Sequence, residues 1–401
     1  MRLAIHTQYY PPEMGAPQAR LSDLAKRFAK HGHEVYVLTA MPNYPHGRIH
    51  SGYGGLFRRE EQDGVSIIRT FIYPSKSVGV IRRLANYFSF VLSSLLLGAL
   101  FLPKVDFILT ESPPLFLGIS GWLLSKMKGS RWILNVSDLW LDSLKEFRRL
   151  PARGLTYRVL NGMSRFFYRK AWLVTGQSKE IIAQIQKQIP SRRVHHLSNG
   201  VDVGSFHPDK RDERVRGRYL KDGEVGFVYA GLHGFFQGLD QIILCADRVR
   251  DVPVRFLFFG DGSEKEAIVR MAKDLGLANV DFHPAMPHDR IPSIMASMDV
   301  AVIPLRTTIP GSVPSKIYEA MASGIPVLLV ANGEAREIVE KAGGGVAVDP
   351  GNVDQFAHAV RELTRQAEWR ERMGRSGRRS AEAFYDRAKI MRTFEIALTG
   401  K

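Results

Sequence analysis

Lys316 and Glu319 are the residues whose types and spacing most clearly suggest chemistry. They lie in residues 314–327, which read Pro-Ser-Lys-Ile-Tyr-Glu-Ala-Met-Ala-Ser-Gly-Ile-Pro-Val. This pattern predicts a helix that begins at Pro314 and ends at Gly324, ahead of a buried strand. Lys316 then places a positive charge one turn before the carboxylate of Glu319, which could accept hydrogen bonds from ribose hydroxyls. The alternative is that Glu319 only caps or pairs on an ordinary helix.

The start of this helix is expected to bind an anion. The first N–H groups of a helix have no partner within it, and the helix dipole adds positive charge at the same end. We expect the backbone amides of Ser312, Val313 and Ser315 to bind a diphosphate, with the ammonium of Lys316 beside them.

The net charge predicts attraction to an anionic partner. Lysine and arginine number 56 against 40 aspartate and glutamate residues, which gives a formal charge of +16. Nucleic acid, an anionic membrane and phosphorylated substrates are the three candidates. Residues 145–170 combine many basic side chains with one acid, Glu146, and several aromatics. The basic ones are Lys145, Arg148, Arg149, Arg153, Arg158, Arg165, Arg169 and Lys170, and the aromatics include Tyr157, Phe166, Phe167 and Tyr168. This mixture suits a bilayer surface, and a solvated helical face is the alternative.

Length and cysteine content indicate a two-domain protein of the cytoplasm. The 401 residues exceed what one hydrophobic core usually organises, so two domains of about 200 residues each are expected. The single cysteine, Cys245, cannot form an internal disulfide and lies in an apolar stretch that is typical of a core. Residues 1–10 hold too short an apolar run for a secretory signal.

Apolar strands alternate with helical patterns along the whole chain, which predicts the α/β class. The predicted strands are residues 3–7, 34–38, 66–72, 107–110, 132–136, 173–175, 225–229, 255–259, 300–303 and 327–330, and residues 17–30 form an amphipathic helix. Turn-forming residues cluster at 199–208, between the two sets of strands. The expected domains are residues 1–203, residues 204–380, and a C-terminal helix at 381–401 that could pack back on the first domain.

Residues 84–102 are uncharged and long enough to span a membrane. A spanning helix would put the strands at 66–72 and 107–110 on opposite sides of the bilayer, although both look like members of one sheet. We therefore predict a crossover helix. Its apolar excess favours a face that dips into the membrane interface over full burial.

Five segments, taken in chain order, resemble the retaining nucleotide-sugar glycosyltransferases of family 4. They are residues 9–15 (Tyr-Tyr-Pro-Pro-Glu-Met-Gly), 197–202 (Leu-Ser-Asn-Gly-Val-Asp) with 206–208, 260–262 (Gly-Asp-Gly), 316–326, and 374–378 (Gly-Arg-Ser-Gly-Arg). This resemblance spans nearly the whole chain. Residues 41–47, 111–114 and 138–140 resemble bacterial enzymes of O-antigen, capsule or exopolysaccharide assembly, including transferases of N-acetylated amino sugars.

The resemblance implies a GT-B fold, in which two Rossmann-like doubly wound domains face a cleft that holds the active site. It implies that Gly15 lets the backbone approach the donor phosphates, although a simple tight turn would also explain this glycine. Asn199 and Asp202 are expected to shape the interdomain turn.

The remaining donor-binding residues are also assigned by the resemblance. The loop with Gly231, His233, Gln237 and Gly238 would open the second domain and close over the diphosphate. Backbone groups of two further segments would bind the nucleotide base. These segments are Gly260, Asp261 and Gly262, and Pro284 to Met286.

The sequence departs from the family pattern at two places. Many members carry a glutamate at the position of Gly311, and many have an arginine and a lysine where this chain has His233 and Gln237. The charge of the donor phosphates must then be met elsewhere, and Lys316 and Arg306 are the available cations.

The family implies retention of anomeric configuration, with the acceptor hydroxyl attacking the face from which the diphosphate leaves. Catalysis would then depend on positioning and on electrostatic stabilisation of the leaving group. Asp138, after a predicted strand, is the first-domain carboxylate that could meet the acceptor hydroxyl or a developing oxocarbenium charge, and helix capping is its alternative role. The chain has no Asp-x-Asp motif and no histidine or cysteine cluster with zinc spacing, so neither a metal nor a cofactor is expected.

The sequence thus predicts a metal-independent transferase that moves a sugar from a nucleotide diphosphate onto a lipid-linked acceptor. The expected donor is a UDP-linked N-acetylated hexosamine, with a GDP-sugar as the alternative. The expected acceptor is an undecaprenyl-diphosphate-linked glycan at the inner face of the plasma membrane. A sugar-nucleotide epimerase, a phosphorylase, a nucleic-acid-binding protein and a non-catalytic binding subunit are the other classes considered.

Overall fold

The computed structural model describes residues 1–13, 15–44, 47–75, 79–139 and 154–400. The chain forms two compact units, one of Met1–Ser198 with Met391–Lys401 and one of Asn199–Ile390. The boundary between the units follows Ser198, and the boundary expected from the sequence follows residue 203. Part of the basic segment and of the resembling motifs lies outside the described residues, namely Met14, Pro45, His46, Trp140, Lys145, Glu146, Arg148, Arg149 and Arg153.

The first unit is built on a mainly parallel sheet. Its strands are β1 (Arg2–His6), β2 (Glu34–Ala40), β3 (Phe57–Gln62), β4 (Val65–Thr70), β5 (Phe107–Ser112), β6 (Arg131–Val136), β7 (Leu173–Gly176) and β8 (Val194–His196). Their order is β3-β4-β2-β1-β5-β6-β7-β8, and β3 pairs antiparallel with β4 at one edge. The predicted strands are confirmed to within one or two residues. The sequence did not predict β3, because its residues Phe-Arg-Arg-Glu-Glu-Gln have the polar composition of an exposed edge strand.

Helices connect these strands. They are α1 (Ala16–Lys30), α2 (Val80–Phe101), α3 (Leu117–Lys128), α4 (Leu155–Lys170) and α5 (Lys179–Gln188). The helix predicted at residues 17–30 is confirmed by α1, which ends before the left-handed Gly32.

Helix α2 connects β4 to β5 in one sheet, so the predicted crossover is confirmed. Its polar side chains face the rest of the unit: Asn86 Nδ2 donates to the carbonyl of Tyr73 (2.7 Å), and Ser94 Oγ lies 3.1 Å from His6 Nε2. On the opposite face Leu92 and Leu96 are 58% and 56% exposed. Full burial of this helix, the alternative considered from the sequence, is therefore wrong.

The second unit is built on a fully parallel sheet with the order β11-β10-β9-β12-β13-β14. The ranges are β9 (Val225–Ala230), β10 (Val254–Phe259), β11 (Val280–His283), β12 (Val300–Pro304), β13 (Val327–Val330) and β14 (Gly345–Val348). Its helices are α6 (Glu213–Tyr219), α7 (Asp240–Arg248), α8 (Lys265–Asp274), α9 (Ile291–Ala296), α10 (Lys316–Ala322), α11 (Glu334–Lys341), α12 (Val353–Arg365) and α13 (Ala367–Ser380). Apolar cores cover both faces of the sheet. Cys245 lies in one of them, where burial raises the pKa of its thiol.

Helix α10, which carries Lys316 and Glu319, is positioned by a close backbone contact. A Cβ atom added to Gly374 in α13 would lie 2.1 Å from the carbonyl oxygen of Gly324, just after α10. Arg378 Nη1 donates to the carbonyls of Val203, Phe206 and Ala322, and the last of these closes the end of α10. The glycines and the arginine of residues 374–378 therefore fix α10.

The last helix, α14 (Arg387–Thr399), packs on the first unit from Met391 onwards. The ring of Phe394 meets that of Phe28 edge to face at 6.1 Å. The carboxylate of Glu395 contacts the imidazoles of His31 and His33.

The contact between α13 and Gly324 predicts opposite effects for two helical glycines. Gly374→Ala should lower the free energy of unfolding by about 1–3 kcal/mol, because the added methyl group cannot fit against the backbone. Gly217→Ala in α6 should be neutral or stabilising by up to about 1 kcal/mol, because nothing lies within 4 Å of its added Cβ and alanine favours a helix. Thermal unfolding of the two variants measures the difference. Equal effects would contradict the packing described for α10.

Candidate functional site

Except for Gly15, the donor-binding residues predicted from the sequence lie in the second unit, after four neighbouring strands. Gly231, His233 and Gln237 come after β9, and Arg306 to Ser315 come after β12. Gly260, Asp261 and Gly262 follow β10, and Pro284 to Met286 follow β11. After β9 the chain adds β10 and β11 on one side of it, and then returns to add β12, β13 and β14 on the other side. In a doubly wound sheet, ligands bind at the carboxyl ends of the strands at this reversal.

The loops after β9 and β10 contact each other through their backbones. The amide of Gly231 donates to the carbonyl of Phe259 (2.8 Å), and the amide of His233 donates to the carbonyl of Asp261 (2.8 Å). A Cβ atom on Gly260, whose φ is +152°, would lie 1.9 Å from the carbonyl oxygen of Gly231. A Cβ on Gly262 would lie 2.3 Å from the carbonyl oxygen of His233. Glycine is therefore required at both positions of the second loop.

The side chain of Lys316 crosses the first of these loops. A Cβ on Gly231 would lie 2.4 Å from Lys316 Cε, and the ammonium of Lys316 lies 5.4 Å from the ring centroid of Tyr229. Burial lowers the pKa of Lys316, and the negative charge of Glu319 on the same helix opposes this effect. A partly desolvated ammonium beside the backbone of this glycine is suited to bind an anion.

His233 is fully buried and shapes the loop. Its carbonyl accepts from the amide of Glu264 (2.9 Å), and neither ring nitrogen has a hydrogen-bond partner among the described residues. Burial, together with the positive charges of Lys265 and Lys316, lowers the pKa of His233 to about 4. The imidazole is therefore neutral near pH 7 and adds no positive charge to this part of the unit.

Arg306 is already paired. Its guanidinium forms an ion pair with Asp240 (2.9 Å), and its Nε donates to the carbonyl of Phe235 (2.9 Å). The guanidinium also lies 4.5 Å from the ring centroid of Phe235. Arg306 thus joins the loop after β12 to the loop after β9, and its charge is balanced by Asp240.

Helix α10 begins later than the sequence predicted. It starts at Lys316, with Ser315 as its N-cap, whereas the prediction began it at Pro314. Pro314 instead precedes the helix, where its carbonyl accepts from the amide of Ile317 (3.1 Å). The amide of Ser312 donates to the carbonyl of Ile309 (3.0 Å) in the preceding turn, and Val313 is buried in the core. Of the three amides expected to bind the diphosphate, that of Ser312 is therefore already hydrogen-bonded within the chain.

Lys265 is a cation near this site that was not predicted from the sequence. Its ammonium donates to the carbonyls of Gly260 (2.7 Å) and His283 (3.1 Å), at the ends of β10 and β11. The residue closely follows the Gly-Asp-Gly motif. Its closeness to this motif is the feature of the sequence that could have identified Lys265 as a site residue. The sequence does not show that the ammonium of Lys265 is hydrogen-bonded to backbone carbonyls.

The first unit has a buried polar cluster at its own strand reversal, between β1 and β5. Arg20 Nη2 donates to Glu111 Oε1 (2.7 Å) and to Ser137 Oγ (2.6 Å), and Asn135 Nδ2 donates to Glu111 Oε2 (2.5 Å). Arg20, Glu111 and Asn135 are at most 7% exposed. This cluster was not predicted from the sequence, because it joins residues far apart in the chain and only Glu111 lies in a segment that resembles the family.

Asp138 directly follows this cluster. It lies beside a pocket lined by Tyr157, Asn161, Ser164 and Tyr168, which share one face of α4. Ser137 is held by Arg20 and Glu111, so the network fixes the backbone from which Asp138 projects. A helix that Asp138 could cap would fall in residues 140–153, which lie outside the described residues.

The resembling segments 9–15 and 41–47 are joined by Glu13. Its carboxylate accepts from the amides of Asn43 (2.8 Å), Tyr44 (2.8 Å) and Tyr10 (3.2 Å). Burial raises the pKa of Glu13, and the amide hydrogen bonds oppose this effect. Gly15 is the N-cap of α1 with an extended backbone, and a Cβ there would lie 2.4 Å from Gln18 Oε1.

Across the described residues, no group of three or more histidine, cysteine or acidic residues could hold a metal ion.

Comparisons with known proteins agree with this geometry. Residues 15–200 match the model described as "Glycosyl transferase 4-like domain", and residues 211–380 match "Glycosyl transferases group 1". The putative colanic acid biosynthesis glycosyl transferase WcaI of Escherichia coli is 26% identical over 98% of both chains.

Solved structures share the fold. Sucrose-phosphate synthase from Thermosynechococcus elongatus gives a TM-score of 0.78 at 16% identity and covers 99% of this chain and 98% of its own. HepE of Anabaena, in complex with UDP and glucose, gives a TM-score of 0.75 at 18% identity and covers 100% of both chains.

The fold and the matched domains define the class as α/β GT-B glycosyltransferases, which confirms the predicted fold. Within that class, the chain belongs to the glycosyltransferases that combine a 4-like domain with a group 1 domain, as the resemblance implied.

The buried pair of Arg20 and Glu111 predicts a large loss of stability when one partner is removed. Glu111→Ala should lower the free energy of unfolding by about 3–5 kcal/mol, because it removes the carboxylate that is paired with a buried guanidinium. Glu34→Ala, which breaks the exposed pair with Arg2, should cost no more than about 1 kcal/mol. Denaturant unfolding of both variants gives the comparison. A mild effect of Glu111→Ala would mean that the pair is solvated.

His6 predicts an acid-sensitive contribution to stability. Burial lowers the pKa of His6 to about 3, whereas a histidine in an unfolded chain has a pKa of about 6.5. The stability due to neutral His6 is thus complete above about pH 6.5 and is lost as the pH falls towards 3, because the unfolded chain then binds the extra proton. His6→Gln should show a shallower fall of the melting temperature between about pH 7 and about pH 5. The exposed His358→Gln is the control, and parallel curves for wild type and His6→Gln would contradict this account.

Proposed function

We propose that the protein transfers a sugar from a nucleotide diphosphate donor, with UDP-N-acetylhexosamine the expected donor, onto a lipid-linked glycan in surface polysaccharide biosynthesis. The observation that carries the proposal is the position of Lys316. Its ammonium crosses Gly231 at the strand reversal of the group 1 domain, less than one turn before Glu319. A diphosphate at this edge of the sheet would meet a desolvated cation, and a ribose would find a carboxylate nearby.

The mechanism uses the charge of Lys316 on the leaving group. As the bond between the sugar and the diphosphate breaks, negative charge grows on the diphosphate, and a partly desolvated ammonium stabilises it more strongly than a solvated one would. The acceptor hydroxyl attacks from the same face, so anomeric configuration is retained, and the departing phosphate takes the proton. Asp138 in the first unit orients that hydroxyl or stabilises positive charge on the sugar.

Two relatives support the substrate class. WcaI is named for colanic acid biosynthesis, and the solved HepE complex holds UDP and glucose. These names favour a polysaccharide role and a uridine donor for this chain. An undecaprenyl-diphosphate-linked acceptor at the inner face of the plasma membrane fits the apolar and basic surface of the first unit. The amino-sugar donor continues to rest on the resemblance of residues 41–47, 111–114 and 138–140.

Thermal unfolding with a panel of UDP, GDP and their sugar conjugates tests the proposal. Saturation at about a hundred times Kd should raise the free energy of unfolding by about 2.7 kcal/mol. UDP and UDP-N-acetylhexosamine should stabilise the wild type, and Lys316→Ala and Glu319→Ala should abolish the effect.

The matched controls for these variants are Lys341→Ala and Glu337→Ala, which alter an exposed ion pair on α11 of the same unit. Both should respond to nucleotides as the wild type does. Stabilisation by GDP conjugates alone would replace the donor with a GDP-sugar. A wild type that no nucleotide stabilises would refute the transferase and favour a non-catalytic binding subunit.

A further inference from the structure

Helix α2 presents an apolar stripe to solvent, made by Phe88, Leu92, Leu96 and Leu100. These side chains are 44%, 58%, 56% and 74% exposed. Residues four apart advance by about 40° around a helix, so the four lie within about a third of its circumference and extend along about 18 Å of it. Such a continuous row differs from the isolated exposed apolar residues that are common on protein surfaces.

Helix α4 lies on the same side of the sheet as α2, and it exposes basic and apolar side chains. Helix α3 contacts both neighbours: Lys128 of α3 donates to the carbonyl of Ala99 in α2 (2.7 Å), and the ring of Trp122 meets that of Phe166 in α4 at 5.1 Å. Val159 is 60% exposed on α4. The exposed cations of this helix are Arg158, Arg165, Arg169 and Lys170. The three helices thus combine an apolar stripe with a cluster of positive charge.

The polar residues of α2 exclude a helix that is surrounded by lipid. Gln8 Nε2 donates to Asn86 Oδ1 (3.0 Å), Ser89 Oγ accepts from the amide of Tyr73 (2.8 Å), and Ser93 Oγ lies 3.1 Å from Thr70 Oγ1. These hydrogen bonds attach one side of the helix to the sheet of its own unit. If lipid covers the apolar stripe on the other side, the helix must therefore lie in the plane of the membrane interface.

We propose that the stripe of α2 inserts into the surface of an anionic lipid bilayer, with the helix parallel to the membrane plane and the cations of α4 over the headgroups. Charge complementarity selects this occupant, because a +16 chain with basic residues beside the stripe is attracted to anionic lipid. A second copy of the chain would bring like charges together. The inference deepens the proposed function, since it identifies the surface that would hold the protein at its lipid-linked acceptor.

Sedimentation with vesicles tests this surface. The wild type should bind vesicles of equal parts phosphatidylethanolamine and phosphatidylglycerol and should bind phosphatidylcholine vesicles weakly, with the difference reduced at high salt. Leu92→Gln/Leu96→Gln should weaken partitioning onto the anionic vesicles by about tenfold or more, because two apolar side chains no longer leave water. Phe384→Gln, at a 72% exposed residue of the second unit, is the matched control and should bind as the wild type does.

Several results would overturn the inference. A wild type that does not bind the anionic vesicles, or a double variant that binds them equally well, excludes the stripe as the contact. A wild-type dimer that the double variant converts to monomer, with vesicle binding unchanged, assigns the stripe to a second copy. If the double variant does not fold, Leu100→Gln alone gives the same comparison.

Nucleotide stabilisation of the same variants separates this inference from the proposed function. Stabilisation by UDP should persist in Leu92→Gln/Leu96→Gln while vesicle binding is lost. Vesicle binding that depends on the stripe, in a protein that no nucleotide stabilises, would refute the transferase and leave the membrane surface in place.

Discussion

The close approach of two loop backbones determines the geometry of the second unit at its candidate site. The carbonyl of Gly231 occupies the space that a side chain on residue 260 would need, and Lys316 occupies the space above Gly231 itself. Any larger residue at these positions would push apart the ends of β9 and β10 or displace the lysine. The position of the Lys316 ammonium therefore requires glycine, which has no side chain beyond a hydrogen atom, at residues 231 and 260.

A second set of close contacts holds α10 from the other side. Gly374 packs on the carbonyl of Gly324, and the guanidinium of Arg378 donates hydrogen bonds to three carbonyls, one of them at the end of α10. Arg378 also pairs with Glu382, so the Nε and Nη1 groups of its guanidinium are already bonded within the unit. The segment 374–378 thus has a structural explanation, because it supports the helix that carries Lys316 and Glu319. A basic motif in a sequence would otherwise suggest a phosphate-binding role.

The sequence predicted the elements whose signal is local. Buried strands such as β12 read as short apolar runs, glycine marks the ends of α1 and α10, and the crossover role of α2 followed from the strands around it. It could not predict the polar edge strand β3 or the cluster of Arg20 with Glu111. The edge strand has no apolar face to reveal it, and the cluster joins residues from α1, β5 and β6 whose proximity depends on strand order.

The sequence gives the number of cations near the site, but only the folded chain shows what each cation binds. A count of cations near the site treats Arg306, Lys265 and Lys316 alike, but folding uses the first to balance Asp240 and the second to bind the carbonyls of Gly260 and His283. Only burial distinguishes Lys316, whose pKa falls because water is removed from its ammonium. An ammonium that burial makes costly to keep charged gains most from a neighbouring diphosphate. The desolvation that lowers the pKa of Lys316 is therefore also the physical reason that this lysine, in the proposed reaction, would bind the donor.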